Sequence, residues 1–281
     1  MHENQAAMDE TKPAEEVAVS IVIPLFNEQE IIQENLRILA AFFDRMVGAG
    51  KWMFILVDNG SVDATPQAVE AATLKWPPSR GIKLAEPNYG EALKTGLRAA
   101  TTKWVYLLDI EQWDLPFIAW SWMTRWHYDA FIASKRADPT LNEQHTYRRF
   151  LSWGSNCLLQ ILFQFTGTDT HGPKLLNRYA LETIIPACQL DRGQFDTELV
   201  LRATRAGKRL IEIPVPYRES RPPRNWMVKK IVWNLFALRR LAKVMRDVPY
   251  EGHLRCYRIA YEDVIAESLP IVGKTKETTL A

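Results

Sequence analysis

Between residues 17 and 108, short apolar runs alternate with stretches of helical period. The runs are Val17–Leu25, Trp52–Val57, Ile82–Ala85 and Trp104–Leu108; between them lie Glu28–Phe43, Thr65–Leu74 and Gly90–Ala100. Ile31, Ile32, Leu36 and Leu39 share one side of the first helix. A strand that is apolar at successive positions has no face to give to water. Alternating with helices, such strands predict an α/β fold with a parallel sheet covered on both faces. Ligands of these sheets sit beyond the carboxyl ends of the strands. Three of the ends here are polar: Asn27 and Glu28, Asp58 to Asp63, and Asp109 with Glu111. The chemistry is expected there.

After residue 126 the pattern loosens. Tyr128–Ser134 reads as a further strand, followed by Lys135 and Arg136. Helices are expected at Tyr147–Phe165 and Phe195–Ala206, a strand at Arg209–Val215, a break at 220–224 and a strong helix over Met227–Arg246. The expected organisation is a disordered lead-in at 1–16, an α/β domain at 17–220, a basic amphipathic helix at 221–247 and a weakly patterned tail at 248–281.

With 281 residues the chain suits one large domain or two small ones, at about 150 residues per domain. Its 47% hydrophobic and 24% charged residues exclude wholesale disorder, collagen and coiled coil. The 35 basic and 33 acidic residues give +2, so the chain as a whole is no polyanion binder. Nine of the basic residues, however, fall between 218 and 246, against one acid there, Glu219. That segment suits an anionic partner. Cys157, Cys188 and Cys256 form no CxxC and have no His at ligand spacing. This argues against disulfides and zinc and suits a reducing cytosol. The polar, acidic N-terminus is not expected to be a signal peptide. The longest uncharged run, Phe150–Thr168, is too polar for the roughly 20 apolar residues of a membrane span.

Three clusters carry candidate chemistry. Val57-Asp58-Asn59-Gly60-Ser61-Val62-Asp63-Ala64-Thr65 puts an acid at a strand end, a Gly in the turn, and Asp63 or Thr65 at a helix start. As local structure this is a capped corner; as chemistry it offers a carboxylate to a base or a sugar hydroxyl. Asp109-Ile110-Glu111 puts two carboxylates just past a buried strand. If the chain turns there they converge on one hard cation, Mg2+ or Mn2+, which would hold a diphosphate. Alone the tripeptide reads better as a solvated loop; its place at the end of a fourth parallel strand reverses that. In Asn88-Tyr89-Gly90-Glu91-Ala92-Leu93-Lys94-Thr95-Gly96 a glycine opens a helix whose N-terminus favours an anion. Gly96 within it costs stability unless close packing requires it.

In this order and spacing the clusters resemble the family 2 glycosyltransferases of the GT-A fold. IVIPLFNE is similar to that family's opening strand and Asn-Glu, VDNGSVDAT to its VDDGSxDxT corner, and EPNYGEALKTGLRAA to its Asn- and Gly-bearing helix. LLDIEQWDLP occupies the place of its metal-binding Asp-x-Asp loop. FDTELVLRATRAGKRLIEIPVPYRES is similar to a later family stretch, so the resemblance covers residues 18 to 220. It implies a Rossmann-like, mostly parallel central sheet with helices on both faces. The chain looks closest to the polyprenyl-phosphate sugar transferases of the dolichyl-phosphate mannose synthase type. The Gln-x-x-Arg-Trp motif of processive polysaccharide synthases is absent, and Thr168 to Lys174 resembles the branch's Asp…Gly…Arg segment. The departures are Asn59 for the corner's second Asp, Glu111 for the metal loop's second acid, Gln112 one place early, and Gly172-Pro173-Lys174 for Gly-Phe-Arg.

The resemblance implies an inverting enzyme that takes a sugar from a UDP- or GDP-linked donor. The base would stack near Pro24 and Phe26, with Asn27, Glu28, Asp58 and Asn59 on base and ribose. Gly90, Lys94 and Asp109-Ile110-Glu111 would complete the donor site, Asp109 and Glu111 holding Mg2+ or Mn2+ against the diphosphate. A hydroxyl acceptor needs a general base, for which Asp196 or Glu198 is the candidate. A lipid phosphate is already ionised and needs cations instead: Lys135, Arg136, Arg148, Arg149 and Lys174 are available.

In the basic helix, Met227, Ile231, Leu235, Leu238, Ala242 and Met245 form one stripe, and Lys229, Arg240 and Lys243 interleave with Trp233, Phe236 and Val244 opposite. Cations with aromatics suit an interfacial helix on anionic lipid, so residues 227–246 are expected to meet a membrane surface. A partner subunit of a homo-oligomer is the alternative, and nucleic acid is not expected. The expected activity is sugar transfer to a polyprenyl (dolichyl or undecaprenyl) phosphate by a peripheral protein at the cytoplasmic membrane face. Transfer to a glycan or small-molecule hydroxyl stands second, and a non-catalytic nucleotide-sugar or lipid-binding homologue third.

Overall fold

The computed structural model describes residues 17–144, 146–218, 227–251 and 256–273. The expected lead-in at 1–16 and the break at 220–224 lie outside the described residues. The elements run β1 (Val19–Leu25), α1 (Ile32–Met46), β2 (Trp52–Asp58), α2 (Thr65–Lys75), β3 (Arg80–Lys83), α3 (Tyr89–Ala99), β4 (Trp104–Leu107), α4 (Leu115–Met123), β5 (Ala130–Ser134), α5 (Thr146–Phe163), β6 (Lys174–Asn177), α6 (Ile184–Ala187), α7 (Phe195–Arg205), β7 (Leu210–Pro214), α8 (Met227–Met245), β8 (Cys256–Arg258) and α9 (Tyr261–Val272). The strands form one eight-stranded sheet in the order β3-β2-β1-β4-β6-β5-β7-β8. Every pairing is parallel except the two made by β6. The carboxyl ends of β1, β2, β4, β5 and β7 therefore share one edge of the sheet with the start of β6.

Alternate residues of β1 and β2 go to opposite faces. Ile21, Ile23, Phe54 and Leu56 enter a core with residues of α1, α2, α4 and α9; Val22, Met53, Ile55 and Val57 enter a second core with α3, α5, α7 and α8. Both faces are filled, which is what consecutive apolar residues require. α3 lies directly against β1: a Cβ on Gly96 would run into Val22. That close approach is what offsets a glycine in mid-helix.

The structure departs from the sequence pattern in definite places. β3 starts two residues before its apolar signal and is mostly exposed. It is an edge strand, so pairing with β2 sets its position more than burial does. α4 has no helical period in the sequence because almost every residue in it is buried. β6 is only four residues long and carries no signal of its own. The weakly patterned segment after 247 holds β8 at the sheet edge and α9, whose Tyr261, Val264 and Val272 enter the first core. Among the described side chains of α8, Leu238, Leu241, Val244 and Met245 face the second core. Ala242, expected on that stripe, is exposed, and Val244, expected opposite, packs inward. Phe236, Arg239, Arg240 and Lys243 are exposed.

Candidate active site

The loops after β1 and β2 are laced together. Asn27 N–H donates to Ser61 Oγ (3.0 Å), and Asn27 Oδ1 accepts from Val62 N–H (2.9 Å). Glu28 N–H donates to Thr65 Oγ1 (2.8 Å), and Ala64 N–H to Gln29 Oε1 (2.9 Å). Asn27 holds φ +57°, a left-handed conformation that Asn tolerates better than most residues. Between these loops Asp58 is buried, with Oδ1 accepting from Ser61 N–H (3.0 Å) and Oδ2 lacking a hydrogen-bond partner. A buried carboxylate oxygen left unpaired is costly unless a ligand donor completes it. Pro24 is half-buried and Phe26 exposed on the same edge.

The third cluster turns inward instead. Asn59 Oδ1 accepts from Asn88 N–H (2.6 Å). Asn88 Oδ1 caps α3 by accepting from Glu91 N–H (3.2 Å), and accepts as well from Arg192 N–H (2.8 Å). A Cβ on Gly90 would stand 2.6 Å from Arg192 N. Residues 191–192 thus cover the start of α3, which corrects the expectation of an open anion site there: Gly90 serves the close approach of this segment. Lys94 is buried, with Nζ 5.7 Å from the centroid of the Phe195 ring.

At the end of β4, Ile110 is anchored in the first core while Asp109 and Glu111 on either side are half-buried. Ile110 therefore fixes the loop and offers no side chain to a ligand. Asp109 Oδ1 accepts from Glu111 N–H (3.0 Å), so the chain turns directly after β4. No group of three or more His, Cys, Asp or Glu ligands occurs among the described residues. A hard cation that keeps waters and takes diphosphate oxygens needs only one or two protein carboxylates. Asp109 and Glu111 fit Mg2+ or Mn2+ in that form. Burial, with the nearby charges of Asp196 and Asp109, raises the Tyr89 phenol well above its ordinary pKa. Asp114, which caps α4, is raised by burial to about 6, against the hydrogen bonds it accepts from Phe117 N–H and Tyr261 Oη (2.8 Å each).

Beyond the loop after β4 opens a cleft lined by Asp109, Gln112 and Trp113 together with Lys135, Asp169 and His171. The end of β5 supplies Lys135, whose ammonium lies 4.1 Å from the centroid of the Tyr217 ring. Loop 169–173 is pressed onto β5, since a Cβ on Gly172 would run into the Ala133 carbonyl. Asp169 is buried; Oδ1 accepts from Thr170 N–H (2.8 Å) and His171 N–H (3.1 Å), and Oδ2 has no hydrogen-bond partner. Burial pushes its pKa up, but Arg136, Lys135 and His171 outweigh this and hold it below the usual carboxylate range. Arg136 Nη1 donates to Thr168 O (3.1 Å).

Three expected site residues are placed elsewhere. Lys174 is buried, its Nζ shared between Asp196 Oδ1 (2.7 Å) and Gly172 O (2.8 Å), so it is committed to a pair and does not line the cleft. Asp196 lies in that same buried pair. Glu198 is fully buried, with Oε2 accepting from Gln189 N–H (2.9 Å) and Leu190 N–H (2.6 Å) and Oε1 paired with Arg202 Nε (2.8 Å). Their positions in α7 turn them toward the second core, where an acid persists only when paired. The side chains of Arg148 and Arg149 lie outside the described residues. Sequence reasoning left Asp169, Asp114 and Tyr217 out of the site. The segment around Asp169 was visible, but not the direction of its carboxylate.

Residues 20–113 match the family model described as Glycosyl transferase family 2. The chain is 24% identical to a dolichyl-phosphate beta-glucosyltransferase of Dictyostelium discoideum, over 78% of its own length and 72% of the relative's. It is 26% identical to the Saccharomyces cerevisiae enzyme of that name, over 75% and 70%. It spans 65% of a third such relative, from Trichomonas vaginalis. Among solved structures it is similar to a mannosyltransferase of Pyrobaculum calidifontis in complex with GDP-Man and Mn2+, with TM-score 0.52, 19% identity, and 93% and 72% of the two chains covered. It is similar also to S. aureus TarS 1-349 in complex with UDP-GlcNAc, with TM-score 0.54, 14% identity, and 92% and 77% covered. The fold is GT-A. The family match thus covers the first third of the chain, and several of the curated relatives are named as dolichyl-phosphate beta-glucosyltransferases.

Proposed function

We propose that this glycosyltransferase moves one sugar, with inversion, from a UDP- or GDP-linked donor to a polyprenyl phosphate. The relatives' names and the nucleotide sugars bound by the structural neighbours support the donor and acceptor classes. Asp58 Oδ2 would accept a hydrogen bond from base or ribose, with Pro24, Phe26, Asn27 and Glu28 along the same edge. Asp109 and Glu111 would hold Mg2+ or Mn2+, which supplies positive charge to a diphosphate whose own charge grows as the glycosidic bond breaks.

One observation carries the choice of acceptor. Asp196 and Glu198, the acids expected to deprotonate a hydroxyl, are both committed to buried ion pairs, whereas the cleft beside Asp109 presents Lys135 with Arg136 close to its wall. A phosphate acceptor needs cations and no base. Transfer to a glycan or small-molecule hydroxyl remains the second reading, and the unpartnered, ionised Asp169 Oδ2 is the observation in its favour.

The acceptor's lipid implies a membrane face. α8 exposes Phe236 beside Arg239, Arg240 and Lys243. α5, which α8 contacts, exposes Trp153, Ile161 and Leu162. Exposed apolar groups rimmed by cations favour an anionic lipid surface. Among the described residues no helix is long and apolar enough to cross a membrane. Docking through these two helices at the cytoplasmic membrane face is part of the proposal. The test is to mix the protein with Mn2+ or Mg2+, a panel of UDP- and GDP-sugars and a short polyprenyl phosphate. One donor should deliver its sugar to the lipid phase, and a chelator should stop it. Nucleotide release with sugar appearing on a hydroxyl would move the assignment to the second reading.

A further inference from the structure

The mechanism leaves one buried acid without a role. Glu212, in the middle of β7, is fully buried. Its Oε1 accepts from Thr168 N–H and from Asp169 N–H (3.1 Å), and its Oε2 accepts from Thr168 Oγ1 (2.9 Å). From β8, Arg258 Nε lies 3.4 Å from the same Oε2, and Arg258 Nη2 donates to Thr166 O (3.3 Å). Gly167 permits the approach, since a Cβ there would stand 2.5 Å from Glu212 Oε1. A buried acid is expensive unless its oxygens are satisfied. Here one short turn of chain satisfies most of them, and that turn carries Asp169.

Asp169 has its Oδ1 tied to the backbone of 170 and 171, so its Oδ2 points wherever the turn directs it. We propose that Glu212 is a positioning residue: by gripping the Thr168–Asp169 backbone, braced by Arg258, it sets the direction in which the Asp169 carboxylate faces the acceptor cleft. The charged and titratable groups facing the pair are Arg136, Lys135 and His171 on Asp169, and Arg258 and Cys256 on Glu212. The grip draws on β8, far from the family-matched residues 20–113. It rests on reading the cleft as the acceptor site.

The test compares Glu212→Leu, Glu212→Gln, Asp169→Asn and the double variant Asp169→Asn/Glu212→Leu in the full chain. Three readouts are taken: sugar transfer to a short polyprenyl phosphate, UDP or GDP binding with Mn2+, and titration of Asp169 by carboxyl-carbon NMR. Glu212→Leu should lower kcat by about tenfold or more, and Glu212→Gln, which keeps an oxygen for both N–H groups, by less than about threefold. Nucleotide affinity should change less than about twofold in either, and the double variant should be no slower than Asp169→Asn alone. Wild-type kcat in Glu212→Leu overturns the proposal, and so does a double variant slowed by the product of the single losses. If Glu212→Leu does not fold, Thr168→Val, which removes the hydroxyl shared by Glu212 Oε2 and Ser134 Oγ, carries the same comparison with a loss of about threefold, with Ser134→Ala as the control for the second contact. If the wild type transfers nothing to lipid phosphate, the acceptor reading fails by itself and the NMR arm decides. There the Asp169 midpoint must differ between Glu212→Leu and Glu212→Gln, which remove the same charge, or between Thr168→Val and the wild type; equal midpoints overturn the proposal.

Discussion

The two halves of the sheet edge are built differently. On the donor side, β1, β2 and β4 are parallel, and the loops after the first two are stitched by bonds between neighbouring corners, such as Asn27 to Ser61 and Glu28 to Thr65. On the proposed acceptor side, β6 runs against its neighbours, and the site is held by contacts that loops make with a strand interior and a C-terminal helix as well as with one another. Glu212 grips Thr168 and Asp169, His171 lies 2.9 Å from Gly193 O, and Tyr261 of α9 donates to Asp114. The donor side is a set of motifs placed by one repeated unit. The acceptor side is a cavity assembled from four separate loops and the C-terminal elements, so substitutions should act differently in the two halves.

The largest effect should come from the donor side. Asp109→Ala is expected to lower transfer about a hundredfold or more and to abolish Mn2+-dependent nucleotide binding, with the melting temperature nearly unchanged. Calorimetric binding and a thermal melt check this, and full activity would refute the metal role. Lys135→Ala should divide the halves most cleanly. The KM for polyprenyl phosphate should rise about tenfold while nucleotide affinity stays put. Equal losses in both would mean that the two sides are one site. Ile161→Glu with Leu162→Glu on α5 should weaken binding to anionic vesicles about fivefold and leave nucleotide affinity intact, as read by co-sedimentation.

A further effect falls on stability and not on activity, at the joint between the halves. Asp114 has a folded pKa of about 6, above its unfolded value of about 4. Its contribution to stability is therefore fully present below about pH 4 and lost as pH rises through about 6, on the order of 2 kcal/mol. Asp114→Asn should remove that fall from the pH profile of the melting temperature. An unchanged profile would contradict it.

The same contrast explains what the sequence made legible. Asp58, Asp109 and Glu111 stand at strand ends because parallel apolar strands bring their carboxyl ends to one edge. Their placement could be read from the strand pattern alone. Asn59, Gly90 and Lys94 carry the same motif signature and also take part in contacts around α3 and residues 191–195, contacts that no local pattern encodes. Lys174 looked like a free cation because nothing in the sequence announces a four-residue antiparallel strand that turns it onto Asp196. Asp169 and Glu212 meet across 43 residues, so neither reveals the other in a linear reading. α9 went unread because its core contacts, Tyr261, Val264 and Val272, are too sparse for a clear helical period.

The central claim is that the acceptor half receives a phosphate. The most direct measurement offers the enzyme, with its donor and Mn2+, equal amounts of a short polyprenyl phosphate and the polyprenol of the same length, and follows the sugar into each lipid. The account predicts sugar on the phosphate alone, with Lys135→Ala raising only the amount of phosphate needed. Comparable transfer to the alcohol, or transfer to a soluble hydroxyl with neither lipid used, would contradict it.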